Sequence, residues 1–325
     1  MELLLQQPHN RYDFFRTEPR FQPIREFGLK MEKALWHVDE IDTSKDYKDY
    51  LTLSENERLV LDCTLAFFAS SDGILFENCE EEIHEIKWPD VKYFYGFKAI
   101  NELVHARSYG NQIETLIIDE VKKDKLFDSI FTIPIIKKKA EWAVKHLSST
   151  QTLAHRLLAS ICVEGIFFSS SFATLFWFRH IHPGKLDGVC GYNDLISRDE
   201  NLHVDFSVML YTNYVQNKLT EKEVHELFAD AVKIEEEFSQ TGIPTPMIGI
   251  NHSLMSEHIR SIANGRLREL GYSKLYSDVS KTPFQFMELL TLEPKKNFFE
   301  TRVTEYQKIA SRKGNIVNDI DQVDF

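Results

Sequence analysis

The chain is 325 residues long and 43% hydrophobic, with 50 acidic against 38 basic residues and a formal net charge of -12. That length buries a sizeable core, and an acidic balance without a long Lys/Arg block excludes nucleic acid as a direct partner. The four cysteines, Cys63, Cys79, Cys162 and Cys190, form no C-x-x-C pair, which removes zinc ribbons and thioredoxin-like motifs and suits a reducing, cytoplasmic location.

The opening stretch "MELLLQQPHNRYDFF" lacks a basic segment followed by an apolar one, so it does not read as a secretory signal. Residues 1–25 are expected to form an N-terminal arm. Helical spacing dominates from there, with Pro and Gly mainly between segments. The stretch "TSKDYKDYLTLSENERLVLDCTLAFFASSDGILFENCEEEIHEI" reads as a helix start, a loop and a long helix, with Ser54 and Glu57 at capping-box spacing before the apolar run. Further helices are predicted at about 90–121, 127–146, 150–180, 192–217 and 220–238. "TGIPTPMIGI" (241–250) is a break with two prolines, and one or two helices follow, up to about Leu270. From Ser277 onward the pattern is irregular, and the acidic end "GNIVNDIDQVDF" is expected to be a mobile tail.

Residues 157–178, "LLASICVEGIFFSSSFATLFWF", are long and apolar enough to span a bilayer. Yet the run holds Glu164 and, in its middle, three consecutive serines, and no second comparable span is evident in the sequence. It is therefore read as the buried central helix of a large bundle, with no membrane as partner.

Glu164 has a counterpart in Asp72, a single acid inside "AFFASSDGILF". A lone carboxylate in such surroundings costs several kcal/mol or is forced to protonate, so each acid needs a cation, a hydrogen-bonding partner or a metal. After each acid comes a helix with a Glu-x-x-His pair: Glu102 with His105 in "ELVH", then Glu200 with His203 in "ENLH". One such pair is ordinary on a helix surface. Two such helices alternating with two single-acid helices are the ligand pattern of a dinuclear carboxylate site in a four-helix bundle, with Asp in place of one Glu. Four carboxylates balance two divalent ions, and oxygen plus imidazole donors suit iron or manganese. A plain salt-bridge cluster would need a buried Arg or Lys, and neither lies within the two apolar runs. Tyr109 follows His105 by four residues and lies one turn along the same face. Phe168, Phe172 and Ile196 are candidates for a dry sleeve around its phenol, and equally for ordinary core.

The stretches "FFASSDGIL", "FYGFKAINELVHARSY", "VEGIFFSSSFATLFWF", "LISRDENLHVDF" and "NFFETRVTEYQ" resemble, in order, the small radical-generating subunit of class I ribonucleotide reductase. The resemblance implies an all-α, ferritin-like homodimer with a di-metal domain over residues 26–285. It implies that Asp72, Glu102 and His105 hold one metal and Glu164, Glu200 and His203 the other, as two iron ions (a di-iron-oxo centre) or a di-manganese pair. Tyr109 matches the radical tyrosine, Trp36 the tryptophan of the transfer route, Asp199 the aspartate linking that tryptophan to His105, and Tyr306 the tail tyrosine that hands the radical on. In the family the radical passes to a cysteine of a separate large subunit, where ribonucleotides become deoxyribonucleotides. Residues 286–325 would then be the tail that docks onto that subunit, with Phe325 as its anchor. This chain has no motif-like cysteine pairing and no phosphate-binding glycine loop of its own. Two other readings stand beside it: a ferritin-like oxidase or hydroxylase acting alone, which would share the six ligands, and an iron-storage protein, which would hold many ions per shell and no stable radical.

Overall fold

Ser54 caps the first long helix as its spacing predicts: the Glu57 backbone N–H donates to Ser54 Oγ at 3.3 Å, and the Ser54 N–H donates back to Glu57 Oε2 at 2.7 Å. The computed structural model describes residues 2–242 and 247–287. Its described helices are α1 (Gln22–Ala34), α2 (Asp46–Thr52), α3 (Glu55–Glu85), α4 (Pro89–Leu116), α5 (Glu120–Phe127), α6 (Ser129–Thr132), α7 (Pro134–Leu147), α8 (Leu153–Cys162), α9 (Ser169–Ile181), α10 (Asp187–Tyr214), α11 (Glu221–Gly242) and α12 (His252–Glu269). One turn of π-helix, Val163–Phe167, joins α8 to α9. All of these belong to the first of two units, Met1–Pro283; the second is Phe284–Phe325. The all-α, ferritin-like class expected from the sequence is the class observed.

The boundaries differ where local chemistry intervenes. Helices α1 and α5 are two more than the sequence pattern predicted. The helix predicted at 127–146 is two pieces, α6 and α7, because Pro134 has no N–H to donate and starts α7 as its first residue. Helix α10 begins five residues early because Asp46 caps it, accepting from the Gly188 N–H at 3.1 Å and the Val189 N–H at 2.9 Å. That approach requires a glycine, since a Cβ at position 188 would collide with Asp46 Oδ2 and meet Thr43 Cγ2 at 2.8 Å.

Helix α3 runs along α4, α8 and α9 pack on α10, and the ring closes through α4 with α10 and α3 with α9. Helices α7, α11 and α12 cover the far side of the α8–α9 rod. Every residue from 157 to 178 is buried, as expected for a central helix. Helix α3 is also long and apolar enough to cross a membrane, so the sequence reading undercounted such segments. Both are core helices of this bundle.

His258 on α12 is 1% exposed, with Nδ1 2.8 Å from Thr282 Oγ1, and burial pulls its pKa down from 6.5 to about 4. The folded protein therefore keeps this ring neutral over a range where the unfolded chain protonates it. The stability that this provides is complete above pH 6.5 and is lost as pH falls toward 4. Between pH 7 and pH 5 the loss is about 2 kcal/mol. His258→Gln, compared with wild type by urea unfolding of metal-free protein at both pH values, is expected to lose that much less. Equal losses in the two proteins would show that His258 is not the source.

Candidate metal centre

All six residues singled out as ligands are buried, and they line one chamber between α3, α4, the π turn and α10. Glu102, Glu164, Glu200 and His203 place one donor atom each within 4.8 Å of one another. His203 Nδ1 lies 3.3 Å from both Glu102 Oε1 and Glu200 Oε2, and His105 Nδ1 lies 3.0 Å from Glu200 Oε1. Asp72 joins through its field, feeling the charges of Glu102, His105, Glu200 and Glu164. The i,i+3 spacing puts each Glu-His pair on one helix face, which is why two short motifs converge here.

Each of the six carries at least one buried oxygen or nitrogen that makes no well-aligned hydrogen bond: Asp72 Oδ2, both Glu102 oxygens, His105 Nδ1, Glu164 Oε2, Glu200 Oε1 and His203 Nε2, the close approaches of His105 Nδ1 to Glu200 Oε1 and of His203 Nδ1 to Glu102 Oε1 included. Orphaned polar atoms at this density are rare in folded proteins, because each costs about 1–3 kcal/mol. Titration behaviour points the same way. Burial first, then the Glu102 charge, pushes Asp72 well above the carboxylate range. Burial pushes Glu164 up to about 7 against the pull of Lys98. Burial disfavours charge on His203, but Glu200 and Glu102 outweigh it and raise the ring to about 9. Glu102 goes the other way: burial works against its charge, but His203, His105 and Lys98 outweigh it and hold its pKa below the usual value, so the cluster is short of cations at Asp72 and Glu164. The donor set therefore fits a pair of divalent ions.

One cation is already built in. Lys98, 1% exposed, arrives from α4 to pair with Glu164 Oε1 and lies 3.9 Å from Glu102 Oε1. The absence of Arg and Lys from the apolar runs did not keep a lysine out, because this one comes from a different helix. Burial would lower its pKa, yet Glu164 beside it holds the ammonium well above its usual value.

Tyr109 is fully buried, and its hydroxyl has no hydrogen-bond partner. Burial, then the charges of Asp72, Glu200 and Glu102, push the phenol well above its ordinary pKa. Its ring stacks on Phe68 at 4.6 Å and 3°. Phe68 in turn meets Phe168 at 5.3 Å and Phe172 at 5.0 Å. Phe168, Phe172 and Ile196 are all buried, and Phe68, four residues before Asp72, is the ring the sequence reading missed.

On the other side of His105, a single oxygen gathers three groups. Asp199 Oδ2 accepts from Trp36 Nε1–H at 2.8 Å and Asn101 Nδ2–H at 3.0 Å, and lies 3.3 Å from His105 Nε2. Arg198 Nε–H donates to the other oxygen at 2.9 Å. Burial works against charge on Asp199, but His105, Arg198 and Asn101 outweigh it and keep its pKa below the usual value. Trp36, Asp199 and His105 are thus brought together, with Asn101 and Arg198 as additions. Tyr306 and the tail lie outside the described residues.

The sequence profile for "Ribonucleotide reductase, small chain" matches residues 14–283. The ribonucleoside-diphosphate reductase small chain of Trypanosoma brucei brucei is 40% identical over 324 residues, 98% of this chain and 94% of that protein. The ribonucleoside-diphosphate reductase small subunit of Dictyostelium discoideum is 41% identical over 310 residues, 95% of this chain and 90% of that protein. Among solved structures, the ribonucleotide reductase Rnr4 homodimer of Saccharomyces cerevisiae superposes with a TM-score of 0.78 at 25% identity, covering 94% of this chain and 93% of that one.

Proposed function

This chain belongs to the ribonucleotide reductase small-chain family, as the small subunit of a ribonucleoside-diphosphate reductase, and from that premise we propose which residues carry its chemistry. Asp72, Glu102 and His105 hold one divalent ion, and Glu164, Glu200 and His203 hold the other. The observation that supports this is the convergence of buried donors: Glu102, Glu164, Glu200 and His203 bring one atom each within 4.8 Å of one another, and His105 Nδ1 lies 3.0 Å from Glu200 Oε1. Two iron ions are the proposed occupants, and a manganese pair would use the same oxygen and nitrogen donors. When bound, the pair supplies, with oxygen, an oxidising equivalent strong enough to take an electron from a phenol.

Tyr109 stores that equivalent. Its raised pKa keeps the phenol protonated at rest, and the proton released on oxidation goes toward Asp72, the carboxylate whose field it feels most. The Phe68 ring covers one face and excludes water. Trp36, Asp199 and His105 form the route out: the Trp36 Nε1–H bond to Asp199 Oδ2 gives the indole proton an acceptor as its electron moves. Tyr306 passes the radical on, and residues 318–325 dock a homodimer of this chain, in the cytoplasm, onto the large subunit where nucleotides are reduced.

Anaerobic Fe(II) titration followed by oxygen tests the reading. Two ions per chain and a tyrosyl electron paramagnetic resonance signal are expected. Fewer ions, or no organic radical, would overturn it. Deleting residues 318–325 is expected to leave the signal and abolish turnover with the large subunit; full turnover would remove the docking role.

A further inference from the structure

Four carboxylates and two divalent ions balance, but Lys98 adds a fifth positive charge inside the same dry chamber. It cannot withdraw to solvent at 1% exposure. Its neighbours leave it little choice of partner: Glu164 from the π turn, Glu102 and Tyr95 from α4, and Cys79 from α3 are the groups whose fields act on it most. Glu82, the other acid on that side of α3, is engaged by Arg156 Nε at 3.0 Å. Position 98 is also four residues before Glu102, so the helix points the ammonium at the ligand face rather than away from it.

We infer that Lys98 is a positioning residue that makes the two metal positions unequal: it holds Glu164 in place while the chamber has no metal and opposes the second divalent ion, so the ions load in order. This rests on the metal-site reading above. Glu164 is the carboxylate Lys98 touches, so the position formed by Glu164, Glu200 and His203 is the weaker one. The position formed by Asp72, Glu102 and His105 fills first. A neutral side chain at 98 removes the opposition and leaves four carboxylates to share two ions evenly. A second consequence concerns the metal-free protein. There Lys98 is the cation that offsets carboxylate repulsion, so removing it lowers stability before any ion binds.

Mn(II) binding tests this without redox chemistry or turnover, with free ion followed by its paramagnetic resonance signal. Wild type is expected to bind two ions with dissociation constants at least tenfold apart. Lys98→Gln is expected to tighten the second ion at least tenfold and to leave the first within about threefold. Metal-free Lys98→Gln is expected to melt below wild type, and to recover when Mn(II) is added. Lys98→Arg, which keeps the charge, should keep the stepwise binding, and serves if the Gln variant folds poorly. Wild type binding two ions while Lys98→Gln matches both of its constants would overturn this inference alone. Wild type binding no second ion would overturn the metal-site reading, and this inference with it.

Discussion

Tyr109→Phe is expected to keep two metal ions per chain, lose the tyrosyl signal completely and reduce turnover with the large subunit to background. Stability should change by no more than about 1 kcal/mol, and in the favourable direction. The sign follows from the environment. The Tyr109 hydroxyl is buried without a hydrogen-bond partner, so removing it relieves an unsatisfied group. The Phe ring keeps the stack on Phe68. A variant that unfolds at the same temperature or higher and binds two ions, yet carries no radical, separates storage of the oxidising equivalent from metal binding. A tyrosyl signal surviving in this variant would move the radical to another tyrosine.

Glu200→Ala is expected to weaken metal loading at least a hundredfold, to one ion per chain or none at micromolar metal. Glu200 faces both imidazoles, 3.0 Å from His105 Nδ1 and 3.3 Å from His203 Nδ1, so its loss disturbs both positions together. The rise in melting temperature that added metal produces should shrink accordingly, since that stabilisation follows the ratio of ion concentration to dissociation constant. Melting curves with and without Fe(II), run anaerobically beside metal analysis, give both readings. Two tightly held ions in this variant would remove Glu200 from the ligand set.

The residues that sequence spacing exposed are those whose chemistry is local. Glu102 with His105, and Glu200 with His203, share a helix face by arithmetic, and Asp72 and Glu164 stand out because acids are rare inside apolar runs. What spacing did not expose depends on which helix lies next to which. Lys98 reads as an ordinary charged position on α4 until the fold brings Glu164 of the π turn to it. Asn101 and Phe68 were open to the same rule that found Tyr109: each lies four residues before a predicted ligand, His105 and Asp72 respectively. Searching one turn back as well as one turn forward would have found them, and Lys98 too. The early start of α10 was not legible at all, because its cap, Asp46, comes from more than a hundred residues upstream. Bilayer-like hydropathy in both α3 and α8–α9 has a similar origin, since a helix enclosed by other helices has the same composition requirement as one enclosed by lipid.

The π turn at Val163–Phe167 constrains insertions and deletions. A π turn holds one residue more than an α turn spanning the same gap, with i→i+5 bonding in place of i→i+4. Losing a single residue there would restore regular α-helix and improve local hydrogen bonding. It would leave the flanking helices in nearly the same register, because five residues of π turn rotate the chain about as far as four residues of α-helix. Glu164 faces the chamber from within that turn, whereas Phe168 and Phe172 reach Phe68 from just beyond it. The same deletion would therefore spare the aromatic wall and re-aim the carboxylate. Loops elsewhere in the chain can change length at little cost, but this five-residue segment, fully buried in the longest unbroken stretch of core among the described residues, has a length fixed by the aim of the one carboxylate it carries.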